Sequence, residues 1–139
     1  MGEAMINVTV RYAGNVKFEV AARQHTIVCD QPPANGGLDE GMTPPELFLA
    51  SLGSCAAFYA VAYLRKKGLV REGVEVSATA DKAAAPARLD PIRIEVRIPG
   101  ELSEADLAGV EDAVHRCLIH NTLTHAPAVS IAICAHAAV

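Results

Sequence analysis

One stretch of the chain, Thr43 to Gly68, constrains the fold more than any other: TPPELFLASLGSCAAFYAVAYLRKKG. Thr43 suits a helix N-cap, and Pro44 and Pro45 suit the first turn, where a missing N–H leaves no hydrogen bond unmade. Glu46 places negative charge at the positive end of the helix dipole. Arg65, Lys66 and Lys67 place positive charge at the other end, and Gly68 stops the helix. Between them, Leu47 to Leu64 is a run of 18 residues without a charge. A helix apolar on every side must be buried on every side. The run also touches the lower length limit for a membrane span. Ser51, Gly53, Ser54, Tyr59, Tyr63 and the alanines make it a weak span, and alternating strands elsewhere can cover it. The stretch therefore predicts a core helix, with no membrane partner. Cys55 lies in its middle.

The flanking sequence changes period from helical to alternating. Ile6, Val8, Val10 and Tyr12 alternate with polar residues and predict a half-buried strand. After the turn Ala13-Gly14-Asn15, Val16, Phe18 and Val20 predict the second arm of a hairpin, and His25–Cys29 a third strand. A Pro/Gly-rich loop then runs from Asp30 to Met42, long enough to suggest a function of its own. Beyond the helix, Val74–Ala80 and Ile92–Ile98 alternate again, with Lys82–Pro91 read as a turn or loose crossover. Ser103 caps a second helix, with Glu104 and Asp106 in its first turn. Leu107, Val110, Val114, Cys117 and Leu118 share one face of it. Val129, Ile131 and Ile133 predict a final strand.

The order βββ–α–ββ–α–β predicts an α+β fold with antiparallel sheet, residues 1–139 forming a single domain large enough for a real core. A sheet covers one side of the central helix and the second helix part of another. The flank left bare predicts a symmetric homodimer in which two such helices share a core. With 51% hydrophobic but only 4% aromatic residues, alanine does much of the filling, and close helix packing is expected. The net charge of −4, without a basic block, predicts no nucleic-acid partner. The opening MGEAMINVTV lacks a basic and then apolar leader, so a cytoplasmic location is expected. Cys29, Cys55, Cys117 and Cys134 are widely spaced with no Cys-x-x-Cys, which speaks against structural zinc and a thioredoxin-type motif.

The constellation with chemical content is Cys55 and Cys117, on the inward faces of two helices. A peroxide-reducing thiol needs a thiolate, a positive neighbour and a second thiol to capture the sulfenic acid. The plainer alternative is packing, since free cysteine is among the most buried residue types. His115, Cys117, His120 and His125 lie close in sequence, but on an unbroken helix His115 and Cys117 point about 200° apart. No metal is predicted unless the helix breaks there. Cys29 and Cys134 read as packing residues on strands.

TPPELFLASLGSC, followed 62 residues after Cys55 by Cys117 in RCLIHNTL, resembles the OsmC/Ohr family. ARQHTIVCD, the Pro/Gly loop and PPELFLASLGSC together look more like its YhfA-like branch. The resemblance implies antiparallel sheets around long central helices in an intertwined homodimer. It also implies a thiol peroxidase acting on organic hydroperoxides, with Cys55 as the peroxidatic thiol, Cys117 as the resolving one, an external dithiol reductant and no bound cofactor. The family's Ohr branch pairs a glutamate ten positions before the reactive cysteine with an arginine in an N-terminal Gly-rich hairpin. Here that position is Pro45, Glu46 lies nine before Cys55, and the hairpin turn carries no arginine. Nine residues rise about 13 Å along a helix, so Glu46 is no direct base for Cys55. It can orient a cation, for which Arg11, Arg23 and His25 are candidates, of this chain or of a partner subunit. The alternatives are dipole complementarity for Glu46 and an exposed strand face for the arginines. A rival reading of the whole chain is a non-catalytic module that holds a small hydrophobic ligand, with the cysteines as lining.

Overall fold

The computed structural model describes residues 5–135. The elements are β1 (Thr9–Tyr12), β2 (Phe18–Ala22), β3 (His25–Cys29), a 3-10 turn (Pro33–Asn35), α1 (Pro44–Lys66), β4 (Glu75–Ala83), β5 (Arg88–Arg97), α2 (Glu104–His115) and α3 (Leu118–Thr124). β1, β2 and β3 form one antiparallel sheet in sequence order, and β4 and β5 form a second, two-stranded one. The fold is thus α+β. The chain divides into two compact units, one running to Ser51 and taking in Thr79–Arg93, the other made of Leu52–Ala78 and the chain from Ile94.

In the first unit the hairpin register sets Val10 against Val20 and Phe18 against Cys29. Gly14 and Asn15 turn the first hairpin with φ of 97° and 53°, and Arg23 turns the second with φ of 55°. The long loop after β3 is ordered around one buried carboxylate. Asp30, 1% exposed, accepts the N–H groups of Gln31 (2.8 Å), Glu40 (3.0 Å) and Leu38 (3.4 Å). The Glu40 and Gln31 amides, foremost among these, hold its carboxyl below the usual carboxylate range. Three amide donors are what let a buried charge persist here. Lys17 braces the loop from β2's approach, its Nζ 2.8 Å from Glu40 Oε1. At Gly37 a Cβ would lie 1.9 Å from the Gln31 carbonyl oxygen, so the loop closes only over a bare backbone.

The loop delivers Thr43 to the start of α1. Its N–H and Oγ donate to Glu46 Oε1 at 2.9 and 2.8 Å, and the Glu46 N–H donates back to Thr43 Oγ at 3.4 Å. This is a reciprocal capping box.

In the second unit α1 buries one stripe, Leu52, Ala56, Ala60 and Leu64, with Gly53 beside it. Ala60, Leu64 and Val110 centre a core walled by Tyr63, Leu69, Val74, Val96, Ile98, Leu102 and Val114. Ser103 caps α2, its Oγ accepting from the Asp106 N–H at 3.1 Å. Asp106 in turn ties α2 to α1 by accepting from Tyr63 Oη at 2.9 Å. The Tyr63 ring lies across Gly109, where a Cβ would fall 2.2 Å from a ring carbon.

Several expectations are corrected. α1 is long and apolar enough to cross a membrane, yet only one stripe of it is buried within the chain, and Phe58 is 69% exposed. β1 is exposed along its length rather than half-buried. Lys82–Pro91 is no loose crossover, because β4 and β5 run into it and leave a short turn. Pro91 is tolerated inside β5 because each strand of a two-stranded sheet has an open edge. Val129, Ile131 and Ile133 form no strand and are 80%, 84% and 91% exposed. Alternation alone does not make a strand when no edge pairs with it. Cys134 is accordingly exposed and packs nothing, whereas Cys29 is buried as expected. α2 ends at His115, and Leu107, placed on its inward face by spacing, is largely exposed.

Replacing Gly109 by alanine adds about 1 kcal/mol of helix propensity but forces the hydrogen-bonded Tyr63 ring aside. Gly109→Ala is expected to lower the unfolding free energy by about 1–3 kcal/mol in urea titrations; an increase would contradict the packing described.

Candidate active site

Cys55 stands on α1 next to the buried Leu52–Ala56 stripe and is itself half-buried. Cys117 reaches the same place from a break between two helices. The Arg116 and Cys117 N–H groups bond back three residues, to Ala113 O (3.1 Å) and Val114 O (3.0 Å), which tightens and ends α2. Cys117 then adopts φ −57°, ψ 129°, and its carbonyl accepts from the Asn121 N–H at 3.0 Å to begin α3. The outcome is a Cys117 only 1% exposed.

The two thiols meet. Burial, first, pushes the Cys117 thiol up, and a hydrogen bond with Cys55 and the charge on that sulfur push it further. The His120 and Ile119 amides act in the opposite direction, without forming a cap hydrogen bond. Cys55 and Cys117 are both free thiols.

The other residues singled out from the sequence are not brought to this pair. Glu46 is engaged in the α1 cap, and the Thr43 amide and then its hydroxyl hold the carboxyl below the usual range. Arg11 sits opposite Glu19 on the exposed β1. Arg23 is exposed in a hairpin turn, and His25 is exposed at the start of β3. Among the described residues none of these forms an ion pair. The helix does break beside Cys117, and the rings of His115 and His120 come within 5.4 Å. Even so, the described residues hold no cluster of three or more His, Cys, Asp or Glu suited to a metal ion.

Two residues that the sequence did not single out for the site stand near it. Tyr59 lies one turn beyond Cys55 on the same face of α1, and Arg116 directly precedes Cys117. Together with Leu118, Asn121, Thr122 and His125 they line an open depression. The signal available was only adjacency: i+4 to one cysteine, i−1 to the other.

The family model described as OsmC-like protein matches residues 37–132. No curated protein matches the chain by sequence. Solved structures do. A Psychrobacter arcticus protein assigned to an osmotic stress induced and detoxification response aligns with TM-score 0.77 at 23% identity, over 87% of this chain and 90% of that one. An OsmC-like protein from Mycoplasma pneumoniae aligns with TM-score 0.73 at 20% identity, over 90% and 91%. An organic hydroperoxide resistance protein OsmC from Legionella pneumophila aligns with TM-score 0.66 at 16% identity, over 88% and 91%. At these identities the likeness is one of fold.

Proposed function

Because the chain belongs to the OsmC-like protein family, we propose that it is a thiol-dependent peroxidase that reduces organic hydroperoxides through Cys55 and Cys117. The observation that carries this reading is the pairing of a half-buried Cys55 with a buried Cys117, whose thiol burial, first, and a hydrogen bond with Cys55 push up. In the reaction, the Cys55 thiolate attacks the terminal peroxide oxygen. A sulfur–oxygen bond forms, the O–O bond breaks, and the alkoxide leaves and takes a proton as the alcohol. Sulfur is oxidised by two electrons to the sulfenic acid as the peroxide is reduced. The Cys117 sulfur then attacks that sulfur. The S–S bond forms, the S–O bond breaks, and the Cys117 proton leaves with the hydroxyl as water. An external dithiol in the cytoplasm restores both thiols by exchange. Sulfur carries the electrons throughout, so no bound cofactor takes part. Glu46, Arg11 and Arg23 have structural or surface positions within one chain, so any activation of Cys55 by them comes from a second subunit.

The proposal includes a homodimer. On α1, Phe58 with Ala57, Val61, Ala62 and Arg65 forms an open, largely apolar face. Val129, Ile131 and Ile133 add a second exposed apolar row. Contiguous apolar surface of this kind marks an interface, and a two-fold pairing of α1 helices would cover the first of these faces with its own copy.

Titration of the reduced protein with cumene hydroperoxide tests the chemistry. Wild type should consume close to one equivalent and form a Cys55–Cys117 disulfide, while Cys55→Ser should consume none; equal consumption by both proteins ends the proposal. Sedimentation equilibrium tests the assembly: a dimer is expected for wild type and a shift toward monomer for Phe58→Glu, and a monomeric wild type at micromolar concentration would refute it.

A further inference from the structure

Beyond the cysteines, the break between α2 and α3 builds a second pair. On an unbroken helix, side chains five residues apart point roughly 140° away from each other, so His115 and His120 would not meet. Instead the chain tightens at Arg116, extends at Cys117 and restarts at Leu118. The two imidazole rings come together edge to face, with centroids 5.4 Å apart and planes at 74°. Among the described residues no hydrogen bond engages either ring. Glu111 lies one turn before His115, its Oε1 3.9 Å from His115 Nε2.

Rings at this spacing also occur as plain aromatic contacts, which gain most when they bury apolar surface. Little is buried here: the side chains of His115 and Glu111 are 62% and 75% exposed. The spacing has a second match. An imidazole nitrogen binds zinc at about 2.0–2.1 Å, which puts the ring centre about 3.2 Å from the ion. Two such rings at the tetrahedral angle have centres about 5.2 Å apart. Glu111 sets negative charge beside the pair, the sign that favours a cation. Arg116, the adjacent positive residue, lines hollows beside Tyr59 that neither histidine lines.

We infer that His115 and His120 bind a divalent late first-row ion, of the class of Ni²⁺, Cu²⁺ and Zn²⁺, and that the ion braces the break holding Cys117. Imidazole is a donor that all three ions accept. The described residues assemble no group of three or more ligands, so water completes the coordination. The brace ties the last residue of α2 to the first turn of α3. Cys117 lies between them and is 1% exposed, so a reagent reaches it only when this segment opens. An ion that binds the closed segment holds it shut. The ion carries no electrons in the peroxidase reaction, and the site does not depend on that reading.

Calorimetric titration of the reduced full chain with NiCl₂ at neutral pH tests the site. Nickel is the probe because thiolates compete for it less than for zinc. Each of His115→Gln and His120→Gln should weaken binding by about a hundred-fold, since joining two donors on one ion raises affinity by that factor or more. Alkylation of Cys117 by iodoacetamide, followed by peptide mapping, tests the brace. At the NiCl₂ concentration that saturates wild type, the rate at Cys117 should fall by about ten-fold in wild type and stay unchanged in both variants. A nickel affinity that either substitution leaves unmoved overturns the site. Equal slowing in wild type and variants would place the protection at the thiols and overturn the brace.

Discussion

The contact between Cys55 and Cys117 is the interaction on which the site depends, and it lies where one helix stops and another starts. Had α2 continued through Cys117, that side chain would have followed the periodicity of Val110 and Val114 at a fixed height on the helix. Instead the chain tightens at Arg116, extends at Cys117 and restarts at Leu118. At this break Cys117 lies in the interior, where desolvation disfavours its charged form. Cys55, held by the packed stripe of α1, remains half-exposed beside it. One thiol is thus open to solvent, and the other is held in the interior beside it.

The packing around that pair is uneven. The core of the second unit is small, built on Ala60, Leu64 and Val110, and is locked by the Tyr63–Asp106 hydrogen bond and the close approach at Gly109. Away from it, large apolar side chains such as Phe58, Val10, Tyr12 and Ile131 stand in solvent. A chain that is 51% hydrophobic and leaves these uncovered has burial still to complete. The homodimer proposed above follows from that imbalance and from the absence of charge between Leu47 and Leu64.

Local signals proved the most legible part of the sequence. The cap at Thr43, the stop at Gly68, the cap at Ser103 and the third strand at His25–Cys29 appear where residue chemistry puts them. The caps and the stop depend on neighbours three or four residues away, and the strand on a hairpin partner close in sequence. What went unread depends on partners far along the chain. Alternation at Val129, Ile131 and Ile133 gave no hint that no strand edge would pair with it. The end of α2 carries no Gly or Pro, so nothing in HRCL marks the break. Glu46 illustrates the same divide within one residue. The sequence reading gave it dipole complementarity or a distant cation to orient, and the structure shows it hydrogen-bonded to Thr43 in the cap. Asp30, buried under three amides, looked like an ordinary loop residue because its donors lie up to ten positions away.

The most direct test of the central claim is to find which sulfur is oxidised first. Reduced protein is exposed to a sub-stoichiometric pulse of organic hydroperoxide, trapped with a sulfenic-acid reagent at successive times, and mapped by mass spectrometry. The account predicts that sulfenic acid appears at Cys55 first and gives way to a Cys55–Cys117 disulfide, with Cys117→Ser leaving the Cys55 sulfenic acid to accumulate. First oxidation at Cys117 or at the exposed Cys134, with Cys55 untouched, would contradict it.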